Sequence, residues 1–311
     1  MIPAYYSEIA VLLLGVVLLM LEAFLPRGDR RVLGYIGFFG LVAILVATIL
    51  FKPAAPGAAP LWHFYTADPL SLLFKQIALA TTAIVLVMMV EFAPAISTGA
   101  QPHGGLGEFF SIPLFTCAGL MWMSSAVDFV MIFVSLELVT ISFYVLVAFT
   151  RRNPLTLEAG VKYLVLSALS TGFLVYGIIW IFGATGETSL QQIAAAFATS
   201  HFERSAALFG GVLVLIALGF KIAAVPFHIW VADVYQGAPT PVTAFLSVGS
   251  KAAGFVVLLR VLQTFLVLPE LRSVLVAIAL VTLLYGNLAA LPQSNIKRLL
   301  AYSSIAHAGY L

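Results

Sequence analysis

Apolar stretches recur from one end of this 311-residue chain to the other. Each is about 20 residues long, enough to cross ~30 Å of hydrocarbon as a helix. In hydrocarbon every backbone N–H and C=O must be satisfied within the protein, which leaves helical bundles and closed barrels as the spanning structures. A barrel needs short segments of alternating polarity, and runs such as Ile9 to Leu21 and Val212 to Phe220 do not alternate. The fold class expected is therefore all-α, a polytopic transmembrane helical bundle. Composition agrees: 62% of residues are hydrophobic and 9% charged, whereas a water-soluble domain carries roughly 25% charged residues.

Punctuation of the apolar runs by Pro, Gly and charge predicts spans near 4–25, 32–51, 69–91, 108–125, 127–149, 156–182, 206–232, 240–265 and 271–291. A tenth occupies 295–311 and is incomplete at Leu311. Residues 1–311 read as a single integral membrane domain, with the lipid bilayer as its first partner. Glu8 stands where a signal peptide would have a basic region, and no small-residue cleavage site follows Leu21, so the first run is read as a span. A net charge of +2, scattered along the chain, excludes nucleic acid as a partner. The single cysteine, Cys117, lies in an apolar run and reads as a packing residue, without disulfide or thiolate metal site.

Loop charge orients the bundle. With the N-terminus outside, the inner loops hold Arg27, Arg30, Arg31, Arg151, Arg152, Lys297 and Arg298, and the outer loops hold Lys52, Arg204 and Arg272. This asymmetry follows the positive-inside rule and implies a multi-pass protein of the cell inner membrane with its N-terminus outside the cytoplasm. Ser189 is expected to cap a short helix along the outer interface, in which Leu190, Ile193 and Phe197 share a face. The stretch 52–60 reads as a loop, and Asn153-Pro154 as an N-cap with proline at the first helical position.

Charges deep inside spans are the informative ones, because each costs at least about 2.5–3.5 kcal/mol at mid-membrane. Glu137 lies near the middle of span five, Lys221 of span seven and Lys251 of span eight. Lys162 lies about 9 Å inside span six at 1.5 Å per residue, four residues after Glu158, where a simple structural pair is the alternative. A structural ion pair is likewise the alternative for Glu137. Lys75 and Arg260, near span ends, are expected to snorkel to the interface.

Backbone breaks are expected beside the buried lysines. Pro226 lacks the N–H that would bond the carbonyl of Ile222, next to Lys221, and Gly249 and Gly254 flank Lys251. Broken helices at membrane depth are tolerated where they line a cavity, as in ion transporters. His63, His103 and His201 fall in loops without metal-ligand spacing, while His228 and His307 lie nearer the bundle interior as structural histidines or proton relays. No dinucleotide fingerprint, phosphate loop, zinc spacing or serine elbow is present in the sequence.

Two motifs carry a resemblance. The run Gly219-Phe220-Lys221-Ile222-Ala223-Ala224-Val225-Pro226-Phe227-His228-Ile229-Trp230, continued by Asp233-Val234-Tyr235-Gln236-Gly237-Ala238-Pro239-Thr240-Pro241-Val242, resembles the antiporter-like, proton-translocating membrane subunits of NADH-quinone oxidoreductase, respiratory complex I. The ending Gln293-Ser294-Asn295-Ile296-Lys297-Arg298-Leu299-Leu300-Ala301-Tyr302-Ser303-Ser304-Ile305-Ala306-His307 is similar to the same family. The resemblance implies an antiporter-like fold of two inverted five-helix repeats with a discontinuous helix. It also implies a proton path over a glutamate on span five and lysines on spans seven, eight and twelve. Glu137, Lys221 and Lys251 match the first three, and Lys162 matches a lysine on span six. Family members have about fourteen spans, so this chain is expected to be truncated after the first repeat, without the terminal lysine.

By the same resemblance the partners are the other membrane subunits of complex I. NADH, flavin, iron–sulfur clusters and quinone belong to those subunits, with no cofactor in this chain. Burial works against a charged ammonium and a close carboxylate in its favour, so a Glu137–Lys221 pair is expected to act as a switch that passes protons toward Lys162, Lys251 or water. Two alternatives stand beside this reading: a subunit of a multisubunit cation/proton antiporter, and a structural membrane scaffold whose buried charges only hold helices together.

Overall fold

The computed structural model describes residues 5–24, 30–51, 64–99, 106–199, 202–265 and 268–311. Stretch 52–60, Arg27, Lys52, His63, His103 and His201 lie outside the described residues. Helices follow one another as α1 (Tyr6–Phe24), α2 (Arg31–Leu50), α3 (Pro69–Gly99), α4 (Leu106–Ser125), α5 (Phe129–Val147), α6 (Pro154–Thr185), α7 (Leu190–Ala198), α8 (Arg204–Ile222), α9 (Ile229–Gly237), α10 (Thr240–Phe245), α11 (Lys251–Phe265), α12 (Pro269–Ala290) and α13 (Ile296–Tyr310). A five-residue π-helical segment, Leu246–Ser250, joins α10 to α11. Among the described residues nine helical stretches are long and apolar enough to cross a membrane, and extended pairing is limited to two isolated bridges, Tyr65 with Ala126 and Asp128 with Ser189.

Burial sorts the helices. Most of α4 is enclosed, including Phe109, Phe110, Leu114, Cys117 and Met121. By contrast α12 exposes Leu280, Leu284 and Leu288, and α1 exposes Leu13, Val17 and Met20. In water such apolar surfaces would drive association, whereas lipid tails solvate them. Helix pairs in lipid gain chiefly by close packing, which small residues permit. A Cβ on Gly177 of α6 would sit 2.8 Å from the Gly210 carbonyl oxygen, and one on Gly210 of α8 would sit 2.7 Å from that of Gly177. These glycines bring α6 and α8 into backbone contact and set the position of the end of α8, where Lys221 lies.

Helix starts follow local chemistry. The side chain of Asn153 accepts from the N–H of Leu155 with Pro154 opening α6, Asp128 accepts from Val130, and Asn295 accepts from Lys297 and Arg298. Ser189 departs from expectation, because its side chain makes no cap bond to α7. Leu190, Ile193 and Phe197 do share the buried face of α7, and Phe197 packs on Phe265 of α11 at 5.3 Å between ring centroids.

The stretch read as one span over 206–232 is two helices. α8 stops at Ile222 in a Schellman cap: Ala224 N–H donates to the Gly219 carbonyl (2.8 Å) and Ala223 N–H to that of Phe220 (3.1 Å). Ala223 takes the left-handed position at φ 67°, normally filled by glycine, so strain is held beside Lys221.

Candidate functional site

Glu137 and Thr140 lie one turn apart on α5, both turned toward neighbouring helices. Glu137 Oε1 accepts from the Thr171 hydroxyl of α6 at 2.6 Å. Lys221, only 4% exposed, donates to Thr140 Oγ1 at 3.1 Å. The direct Glu137–Lys221 pair expected from the sequence is not formed: the carboxylate is held by Thr171 and the ammonium by Thr140. Thr140 and Thr171 escape a sequence reading because a hydroxyl in an apolar helix usually bonds its own carbonyl four residues back, as Thr140 also does with Leu136. The only available signal is Thr140's spacing of three from Glu137.

Polar backbone freed by the break after Ile222 is satisfied by side chains, as membrane depth requires. Trp230 Nε1 donates to the Phe220 carbonyl at 3.1 Å, and Val225 N–H donates to Thr282 Oγ1 at 2.9 Å. Pro226 lies within this break, three residues beyond the cap of α8, rather than weakening a continuous helix at Ile222. His228 follows it, buried, with its ring 4.5 Å from that of Tyr285 and Nδ1 without a hydrogen-bond partner.

Lys251 is the first residue after the π-helical segment, where the change of hydrogen-bonding register marks the break that Gly249 suggested. It is buried and donates to Ser304 Oγ at 2.6 Å and to the Ser304 carbonyl at 3.1 Å, both on α13. The Tyr235 ring lies 5.8 Å from the ammonium. A cavity of about 460 Å³ opens beside Ser304, its surface mainly apolar, with Thr243, Ser247, Lys297, Leu300, Ser303 and His307 in its lining. The hydroxyls of Tyr235 and Ser250 nearby are buried without partners. His307 itself is exposed on α13, not interior as expected, with Nδ1 2.7 Å from the Ser303 carbonyl oxygen.

Lys162 occupies a different place from the other lysines. Its side chain is 41% exposed and pairs with Asp233 (2.6 Å) as well as Glu158 (2.7 Å). Asp233 in turn binds Arg298 at 2.6 Å, so α6, α9 and α13 are tied together by one carboxylate. Burial alone would raise the Asp233 carboxyl, but its bonds to Lys162 and Arg298 outweigh this and hold it below the usual range.

A second cluster lies at the opposite ends of the helices. Lys75 is 1% exposed and pairs with the fully buried Glu8 of α1 at 2.7 Å. Tyr65 bonds both, donating to Glu8 at 2.9 Å. Arg260 of α11 pairs with Asp68 at 2.7 Å and donates to the Ser124 carbonyl at 3.0 Å. Lys75 and Arg260 therefore do not snorkel. Their carboxylate partners lie 67 and 192 residues away in sequence, and Glu8 had registered only as a charge near the N-terminus.

The NADH:quinone oxidoreductase/Mrp antiporter transmembrane family matches residues 126–311. The chain is 42% identical, over 98% of its length and 63% of the relative's, to the NADH-quinone oxidoreductase subunit N of Desulforamulus reducens. It is 40% identical, over 98% and 62%, to subunit N 2 of Koribacter versatilis. Respiratory complex I from Thermus thermophilus aligns at a TM-score of 0.79 and 33% identity, over 98% of this chain and 62% of that one. The Mrp complex from Dietzia sp. DQ12-45-1b aligns at a TM-score of 0.81 and 22% identity, over 98% and 33%, a likeness of fold alone. The chain thus spans about three-fifths of the length of the curated relatives it matches. With the bundle, the interrupted helix after Lys221 and the match over more than half its residues, the chain belongs to the NADH:quinone oxidoreductase/Mrp antiporter transmembrane family.

Proposed function

We propose that this chain is a proton-translocating membrane subunit of a proton-pumping NADH:quinone oxidoreductase, in which Glu137, Lys221 and Lys251 carry the proton. The observation that supports this best is Lys221: a buried lysine at a strained helix end, held by a threonine hydroxyl with no carboxylate in contact. An ammonium so placed is stabilised weakly, and moving Glu137 from Thr171 to Lys221 would change its charge balance. Lys251 reaches the wall of a cavity through Ser304, the route by which it would exchange protons with water. His228, next to the break, is a candidate relay between them, and His307 one at the cavity rim. Lys162 is assigned an organising role in this scheme, through Asp233.

The names of the relatives support the rest of the reading. Electron transfer from NADH to quinone, with its flavin and iron–sulfur clusters, takes place in partner subunits, and the other membrane subunits of the complex adjoin this one. The loop charges support placement in the cell inner membrane with the N-terminus outside. A cation/proton antiporter subunit is the rival reading, since the family includes both. Inverted vesicles separate them: NADH should drive proton uptake that Lys221→Ala abolishes. A gradient set up by added Na⁺, and unaffected by NADH, would replace this reading with the antiporter.

A further inference from the structure

On the side of the bundle that carries Arg151 and Arg152, a cavity of about 400 Å³ lies between α3, the α5–α6 turn, the α9–α10 connection and the start of α13. Its charged lining is Arg152 and Lys297, with no carboxylate among the lining residues. Three other cations on this side have carboxylate partners, Lys162 and Arg298 with Asp233 and Arg30 with Glu22. Among the described residues Arg152 has no ion pair, and the Lys297 ammonium donates to the Ala238 carbonyl alone, at 3.0 Å. Amide and hydroxyl groups of Asn153, Gln236 and Thr240 complete a polar wall. The opposite wall is apolar, formed by Phe92, Ala95 and Ile96 of α3. From Ala95 an exposed face of α3 runs toward mid-membrane through Val87 and Ile84, at helical spacing. Glu91 also lies on this face but does not line the cavity.

We propose that this cavity binds the phosphate headgroup of an anionic glycerophospholipid, with Arg152 and Lys297 on the phosphate and an acyl chain along Ala95, Val87 and Ile84. Two unpaired cations in a pocket at the membrane interface are the chemistry that selects anionic headgroups, and a guanidinium matches two phosphate oxygens at once. The adjoining apolar face is what distinguishes a lipid from a free anion. Because Lys297 also holds the Ala238 carbonyl, and Thr156 holds that of Gly237 at 2.8 Å, the occupied site would brace the connection that leads from the interrupted helix into α10.

The test uses the assembled complex in phosphatidylcholine nanodiscs doped with phosphatidylglycerol or phosphatidylcholine carrying a photoactivatable acyl chain, with crosslinked peptides of α3 counted by mass spectrometry. The anionic probe should label the segment containing Ile84, Val87 and Ala95 well above the zwitterionic one. Arg152→Gln, which breaks no side-chain bond among the described residues, should reduce that preference by about fivefold, the worth of one cation near an anionic headgroup, and Lys297→Gln should do likewise. Equal labelling by the two probes would overturn the proposal, as would a preference untouched by Arg152→Gln. If inorganic phosphate, but not chloride of equal ionic strength, removes the preference, the site takes a free anion and the lipid assignment fails.

Discussion

Lys221 reaches Thr140 on α5 at 3.1 Å, one helical turn beyond Glu137, whose carboxylate is turned instead to Thr171. Carboxylate and ammonium are thus each bound to a threonine hydroxyl and not to one another. Removing the ammonium should abolish the function but spare the fold: in the assembled complex Lys221→Ala should lose most NADH-driven proton uptake while complex abundance stays normal. Normal uptake at normal abundance would show that the buried ammonium is dispensable.

Glu137→Gln keeps the hydrogen bond with Thr171 but removes the charge that can hold Lys221 protonated, so it should resemble Lys221→Ala. Thr171→Val should act oppositely on the same equilibrium, freeing Glu137 toward Lys221. We expect altered pumping from Thr171→Val with assembly intact. Identical pumping in wild type and both variants would remove the switch.

The Glu8–Lys75 pair is enclosed, and leaving one partner charged and alone in such a place costs about 3–5 kcal/mol. Glu8→Gln should therefore lower the fraction of protein that survives heating in detergent, and Glu8→Gln with Lys75→Met should recover much of it. A double variant as unstable as the sum of its singles would mean that the two side chains do not act as a pair.

Asp233 gives a signed pH dependence. Its carboxyl is held below the ordinary value by Lys162 and Arg298, against the opposing effect of burial. The contribution is therefore complete above the unfolded-state pKa and is lost as pH falls through the lower, folded-state value. Wild type should lose its stability advantage over Asp233→Asn only in acid below the usual carboxylate range. An advantage that disappears already near neutrality would contradict the pairing.

Orientation can be tested by single cysteines in a Cys117→Ser background. Thr199→Cys, following α7, should react with an impermeant thiol reagent on intact cells, and Arg151→Cys, in the α5–α6 turn, should react only after the membrane is opened. The reverse pattern would place the Arg151–Arg152 turn outside, against the charge bias of the loops.

The long apolar spans, and the fact that Glu137, Lys221 and Lys251 fall within them, were legible in the linear sequence. Hydrocarbon length and the cost of an intramembrane charge act on each segment separately, so neither depends on which helices are neighbours. The Asn153-Pro154 start of α6 was readable for the same reason, since a cap is made within four residues. What lies across the bundle was not. Lys75 and Arg260 looked like interfacial cations until packing placed Glu8 and Asp68 against them, and Lys162, whose local partner Glu158 the spacing offered, also meets Asp233, which ties three helices together. Local chemistry determined that the chain spans a membrane and where its charges are costly. Only tertiary structure decided which charge meets which partner, because at a few ångströms that choice depends on helix rotation and on close contacts such as Gly177 with Gly210, which no single segment encodes.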